Sequence, residues 1–325
     1  MGALTISQAV SEYLDNIYLS RSQNTFRTYR NGMNAFIQML SRSGIDPEKS
    51  PVPALREESI GWFAESLRDL APATERLYLT AATNFFEYIT AENMAEINLP
   101  RIRLLIRQKA RRPGVRLPQF PNDDIERVLD YMVSMLETPA EDEMQHLRNL
   151  RDRAFLITLA DTGLRVHEAC KLVRGDMDWN EQRAVVIGKG NRQDVVRFSD
   201  RAIKAIKRYL QARGRLDGKS GRELIYLPIF ARHDRGAGSQ TRAITPTTGR
   251  NIVSERVAQA LGKEAVGTIT PHSFRHYFVT RVLRSSGNLK LAQELARHRN
   301  IAVTQRYAHL SNDELDKAYH EVFES

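Results

Sequence analysis

Residues 270–309 constrain this chain more than any other stretch. TPHSFRHYFVTRVLRSSGNLKLAQELARHRNIAVTQRYAH brings His272, Arg275, His298 and Tyr307 together in one short span. Thr270 suits a helix N-cap, and Pro271 suits the first helical position, where its missing N–H would have had no partner anyway. His272 and Arg275 then fall three apart, on one helical face. A helix N-terminus carries free N–H groups and positive partial charge. An imidazole and a guanidinium beside it predict a phosphate site. Phe274 and Phe278, four apart, bury a neighbouring face. After Gly287, Leu289–Arg297 reads as a second helix with Leu291 and Leu295 inward, and His298 at its C-terminal end. A short helix from about Ala302 carries Tyr307. A lone tyrosine here is most often a half-buried packing residue. Beside two histidines and an arginine it can be a nucleophile toward phosphorus.

Further upstream, Arg151–Ala160 reads as an apolar helix. The turn at Asp161, Thr162 and Gly163 leads into a helix carrying Arg165 and Glu168. Their i,i+3 spacing lets the carboxylate orient the guanidinium, although an exposed pair of this kind means little by itself. Three strand-like runs follow, Asp176–Trp179, Ala184–Gly188 and Asp194–Phe198, with turns at Asn180–Gln182 and Gly190–Arg192. Lys189 begins the second turn. Most lysines at such places serve solubility.

The order of these elements resembles the tyrosine recombinase (integrase) family. Thr162-Gly163-Leu164-Arg165-Val166-His167-Glu168 matches its upstream arginine motif, and Lys189 falls where the family has a lysine in a β-hairpin. His272-x-x-Arg275-His276, a leucine-bearing helix ending in His298, and Tyr307-x-His309 match its C-terminal signature. The likeness spans most of residues 152–310. It implies that Tyr307 attacks a DNA phosphate, forming a 3′-phosphotyrosyl link and releasing a 5′-hydroxyl. Arg165 and Arg275 would hold the non-bridging oxygens, His298 would add a hydrogen bond, and His272 would accept the tyrosine proton or orient the phosphate. Lys189 would protonate the departing oxygen, and Glu168 would support Arg165. No metal, nucleotide or other cofactor is implied, because the covalent link conserves the phosphodiester energy. Departures flank the site: Arg297 stands where the family usually has glycine before the second histidine, Arg299 where a small residue is common, and Gln305 where threonine is frequent.

Charge and patterning agree with a polyanionic partner. The net charge is +9, which favours nucleic acid. Residues 1–100 hold 8 Lys+Arg against 12 Asp+Glu, so the surplus lies elsewhere. Helical stripes at residues 4–19, 24–41, 59–70 and 72–90 predict a compact bundle. It resembles the family's core-binding domain, with Arg21, Arg27, Arg30 and Arg76 as candidate DNA contacts. Residues 101–120 read as a basic interdomain linker, in which Arg101, Arg103, Arg107, Lys109, Arg111, Arg112 and Arg116 can track a phosphate backbone. A catalytic domain over 121–310 follows, in which the acidic segment Thr138–His146 reads as a surface loop. Residues 201–213 and 246–261 read as helices. The fold expected is mainly α with a small antiparallel sheet: a two-domain DNA clamp. Ser311 and Glu314 form a capping box opening a tail helix over 311–325, with Leu315, Tyr319, Val322 and Phe323 on one face. The resemblance implies that it docks on a neighbouring subunit.

The lone Cys170 excludes an intrachain disulfide and fits a reducing compartment as a buried thiol. No signal-peptide pattern or membrane-length apolar run is present, so a cytoplasmic, nucleoid-associated protein is expected. Gly214-Arg-Leu-Asp-Gly-Lys-Ser220 is one residue short of a P-loop and follows a helix, which argues against nucleotide binding. His272 and His276 have a zinc-ligand spacing, but Arg275 between them would repel a metal. The expected activity is therefore site-specific recombination by a homo-oligomer, a tetramer on two DNA sites, passing through a Holliday junction. The resemblance leaves room for an accessory protein or partner recombinase. With no extra arm-binding domain expected ahead of the bundle, a simple Xer-like, transposon or plasmid recombinase fits. The competing readings are a type IB topoisomerase-like relaxing enzyme and a catalytically inactive sequence-specific DNA-binding protein.

Overall fold

The computed structural model describes residues 4–111, 122–137, 139–188, 193–234, 241–298 and 300–305. Lys189, Tyr307, Arg112, Arg116, Arg299 and the tail expected over 311–325 lie outside them. The chain divides into two compact units, Met1–Arg116 and Leu117–Ser325.

The first unit holds α1 (Ile6–Ser20), α2 (Gln23–Arg42), α3 (Glu58–Ser66), α4 (Pro72–Ala91) and α5 (Leu99–Lys109). Thr5 and Gln8 cap α1 reciprocally. Apolar residues at helical spacing converge on one core, in which Phe36 meets Phe63 edge-on at 5.2 Å. Gly32 lets α2 approach α4: a Cβ there would sit 3.3 Å from Tyr78 and Ala81. Leu77 on α4 is exposed.

The stretch read as a linker departs most from expectation, since its first half is α5. Ile102 lies fully buried in the first unit's core. Arg101 pairs with Glu58, Arg103 with Glu87 at 3.0 Å, Lys109 with Glu65 at 2.6 Å and Arg111 with Glu75 at 2.7 Å. The acidic surplus of residues 1–100 supplies these partners, so the basic run docks on the bundle instead of leaving it.

The second unit is built around α7 (Glu143–Thr162), packed against α6 (Asn122–Ser134), α9 (Asp200–Ala212) and α12 (Pro271–Ser286). Asp142 caps α7. The acidic segment expected as a loop thus supplies the helix's cap and first turn, where carboxylates complement the dipole. A buried network crosses the unit: Arg256 donates to Asp152 at 2.6 Å and to Asn149 at 3.0 Å, while Arg151 pairs with Asp152 at 2.7 Å. The strands β1 (Met177–Asp178), β2 (Arg183–Ile187) and β3 (Gln193–Arg197) form an antiparallel sheet in that order, with Met177 opposite Ala184 and Ile187 opposite Gln193. Ala184, Val186 and Val196 face the core. The short α8 (Val166–Lys171) and α10 (Gly214–Gly218), then α11 (Pro246–Leu261), α13 (Leu289–Leu295) and α14 (Ile301–Gln305), complete the unit. The rejected P-loop segment is α10, and its Asp217 is buried against Arg213. On α13, Leu291 is 40% exposed and Ala292 faces inward, so the expected leucine face is rotated.

Candidate active site

Two helix ends and one helix start build the site. Gly163 closes α7 in the left-handed region, φ 59°, which glycine adopts without a Cβ penalty. A Cβ there would lie 2.5 Å from the Phe278 ring. Two residues later, Arg165 caps α8. Its backbone N–H donates to Glu168 Oε2 at 2.9 Å and its Nη1 to Glu168 Oε1 at 2.8 Å. The Arg165 side chain is 42% exposed while Glu168 is 2% exposed, so a buried carboxylate aims an accessible guanidinium. Burial alone would raise the Glu168 carboxyl; the Arg297 charge and the Arg165 contacts outweigh it and hold it below its ordinary value.

Thr270 and Pro271 start α12 as expected, with Thr270 accepting from Ser273 N–H. Arg275, one turn in, is buried and donates to the carbonyls of Gly163 and Ala296. It thereby ties the end of α7 to the end of α13. Burial, then the charges of Arg165 and Arg297, push it down to about 9, with Glu168 opposing; it remains a cation at neutral pH. His272 stands exposed at the same end of α12, its ring edge-on to His276 at 4.1 Å. Partial desolvation of the ring, followed by the charges of Arg275 and Arg165, lowers His272.

His298 follows α13. Its N–H donates to the Gln293 carbonyl at 3.0 Å, its carbonyl accepts from Gln293 Nε2 at 3.0 Å, and Nδ1 lies 2.9 Å from the buried Thr304 hydroxyl on α14. Burial, then Arg275, Arg165, His272 and Arg297, push it down to about 4. Both histidines are thus neutral imidazoles at pH 7, able to accept or donate one hydrogen bond at each nitrogen.

Arg165, His272, Arg275 and His298 line one open cavity of about 590 Å³. Gly188 and Asp194, which flank residues 189–192 in the sequence, line it too. The cavity gathers guanidinium and neutral imidazole groups around a space open to solvent. That donor set suits an oxyanion with several acceptor oxygens. Among the described residues no cluster of His, Cys, Asp and Glu could hold a metal ion.

Arg297 is the residue that sequence reasoning misread, since it entered only as a departure from a family pattern. It adopts φ 56°, its side chain is 6% exposed, and Nη2 donates to Glu168 Oε2 at 3.0 Å. Thr304 was also missed. A threonine six residues after a histidine carries no sequence signal until α14 folds back.

In the first unit Arg21, Arg27, Arg30, Arg76 and Arg107 are exposed, with the Arg30 guanidinium 5.7 Å from the Phe26 ring centre. Arg101, Arg103, Lys109 and Arg111 are held in the ion pairs described above. Cys170 is buried, as expected, and burial pushes its thiol up to about 12.

Comparison with known proteins agrees with this geometry. The model of the phage integrase family matches residues 123–314. The tyrosine recombinase XerC of Thermodesulfovibrio yellowstonii is 29% identical over 313 residues, covering 95% of this chain and 94% of that protein. The XerC of Bacillus pumilus is 30% identical over 311 residues, covering 95% and 92%. Among solved structures, the XerH site-specific recombinase bound to its difH substrate in a pre-cleavage complex shares the fold. Its TM-score is 0.67 at 18% identity, covering 98% of this chain and 85% of that one. These relatives favour neither the topoisomerase nor the inactive DNA-binding alternative. By the match over its second unit and by its full-length relatives, the chain belongs to the phage integrase family and is a tyrosine recombinase.

Proposed function

We propose that this site-specific recombinase cuts and rejoins DNA through Tyr307. The Tyr307 oxygen forms a bond to phosphorus while the bond from phosphorus to the 5′ oxygen breaks. His272, neutral at pH 7, takes the tyrosine proton, and Lys189 protonates the departing oxygen. Arg165 and Arg275 hold the non-bridging oxygens, where charge grows in the transition state, and His298 adds a donor. Attack by the freed 5′-hydroxyl of a second duplex reverses the step. A pair of such exchanges passes through a Holliday junction. The observation that carries this reading is the convergence of Arg165, His272, Arg275 and His298, from three separated segments, on one cavity.

DNA contacts in the first unit fall to the exposed Arg21, Arg27, Arg30, Arg76 and Arg107, with Arg112 and Arg116 beyond the end of α5. The paired Arg101, Arg103, Lys109 and Arg111 support α5 instead, because contacting phosphate would first break an existing ion pair. The protein works as a homotetramer on two sites in the cytoplasm, associated with the nucleoid, with residues 311–325 docking on a neighbouring subunit. Among the described residues no helix is long and apolar enough to cross a membrane.

The test is covalent trapping. Protein purified from cells in denaturant should carry DNA linked at Tyr307, formed equally well in EDTA, and sequencing that DNA identifies the site. A Tyr307→Phe protein should still bind the site and carry no linked DNA. A denaturant-stable adduct formed by Tyr307→Phe would refute the assignment.

A further inference from the structure

The turn after α13 places a guanidinium where its local surroundings do not satisfy it. Arg297 has φ 56°, a region that non-glycine residues enter rarely and at a cost. Its side chain is 6% exposed. Nη2 reaches Glu168 at 3.0 Å, but Nε and Nη1 are buried with no hydrogen-bond acceptor among the described residues. Glu168 is already engaged by Arg165 through two hydrogen bonds. Lys290 and Glu294 at the rim pair with each other at 3.3 Å. Buried N–H donors without acceptors are unfavourable, so strain and desolvation converge on one residue in the cavity wall that also carries Arg165 and Arg275. Strain of this kind persists where it serves a site.

We propose that Arg297 is a third phosphate-binding guanidinium, donating from Nε and Nη1 to a non-bridging oxygen of the phosphodiester held by Arg165 and Arg275. This rests on the Tyr307 reading above. A phosphodiester offers acceptors to Nε and Nη1, which make no hydrogen bond among the described residues although Asp194 on the same wall attracts the charge, and a charge-assisted contact from a preorganised guanidinium is strong. The non-bridging oxygens gain charge as the tyrosine–phosphorus bond forms and the bond to the 5′ oxygen breaks. Arg297 therefore accelerates cleavage more than it tightens ground-state binding.

The experiment uses a nicked duplex carrying the sequence that wild-type protein links to Tyr307. Arg297→Gly removes the guanidinium and places at φ 56° a residue that accepts it, while Arg165 still pairs with Glu168, so the variant should fold, with its thermal midpoint measured beside its rate. Its single-turnover cleavage at saturating DNA should fall by about 10²-fold, with nearly unchanged affinity, and Arg297→Lys should recover part of the rate. On a duplex whose cleaved phosphate bears a neutral methyl group in place of one non-bridging oxygen, the Arg297→Gly deficit should largely vanish, because the charge to be neutralised is gone. A wild-type rate in Arg297→Gly, or an undiminished deficit on the methylphosphonate, makes Arg297 a packing residue and overturns the proposal alone. A wild-type protein that links no DNA at Tyr307 overturns both readings.

Discussion

At Glu168, one buried carboxylate orients two guanidinium groups that approach from different segments of the chain. Removing it would leave the buried Arg297 charge without a counter-charge and free Arg165 to wander. Glu168→Ala should therefore lose about 3 kcal/mol of unfolding free energy, within the range for breaking a buried pair, and should also cleave slowly. Glu168→Gln keeps an acceptor and should lose less; equal stability of the two variants in urea titrations would count against the charge-balancing role. Arg165→Ala has a different profile. The residue is accessible, so stability should change little while cleavage falls by roughly 10²–10³, read in single turnover. Thr304→Val should also slow cleavage with little effect on affinity, because Nδ1 of His298 loses the hydroxyl that fixes its tautomer. Arg165, His272, Arg275 and His298 were legible in the sequence because their motifs stand in the order of a known family, and the fold brings all four to one cavity. Arg297 was not, because its left-handed backbone and its contact with the sequence-distant Glu168 leave no mark on neighbouring residue types.

Helix ends do more of the positioning than helix faces. Gly163 ends α7, accepts from Arg275 and sits two residues before Arg165, so its backbone sets both guanidinium groups at once. Alanine there would meet the Phe278 ring at 2.5 Å and strain φ 59°. Gly163→Ala should destabilise the unit by more than about 1 kcal/mol and reduce cleavage beyond what the lost stability explains. Adding Phe278→Leu should restore part of both, and a double variant no better than Gly163→Ala would place the fault in backbone strain alone. The start of α12 was readable in advance because Thr270 and Pro271 are strong local signals. The start of α7 was not. That helix is buried on nearly every side, so it lacks the polar and apolar stripes that mark a surface helix, and its acidic first turn imitates a loop. The basic run at 101–111 departs from its reading for a related reason: charge density suggested a linker that tracks a phosphate backbone, while its partners Glu58, Glu65, Glu75 and Glu87 lie elsewhere in the sequence.

For the molecule as a whole, the cost of keeping imidazoles neutral inside a cationic unit should appear as acid sensitivity. His233, hydrogen-bonded to the Tyr209 hydroxyl at 2.7 Å, is pushed down to about 3 by burial and then by Arg151, Arg213 and Arg148. His276 is pushed down to about 4 by burial, then His272, Arg275 and His298, and His298 is likewise down to about 4. In the unfolded chain all three titrate near 6.5. Above that pH neither state binds these protons, and the fold keeps its full stability. As pH falls below 6.5 the unfolded chain takes up protons that the folded protein refuses, so stability declines until the folded values near 3 to 4 are reached. Each such histidine contributes a slope of at most about 1.4 kcal/mol per pH unit within that window. The urea midpoint should accordingly rise steeply between about pH 4 and 6.5 and level off above. His233→Gln should be less stable than wild type at pH 7, having lost the contact with Tyr209, yet show a shallower decline toward pH 5. A decline as steep as wild type's would assign the acid sensitivity to His276 and His298 instead.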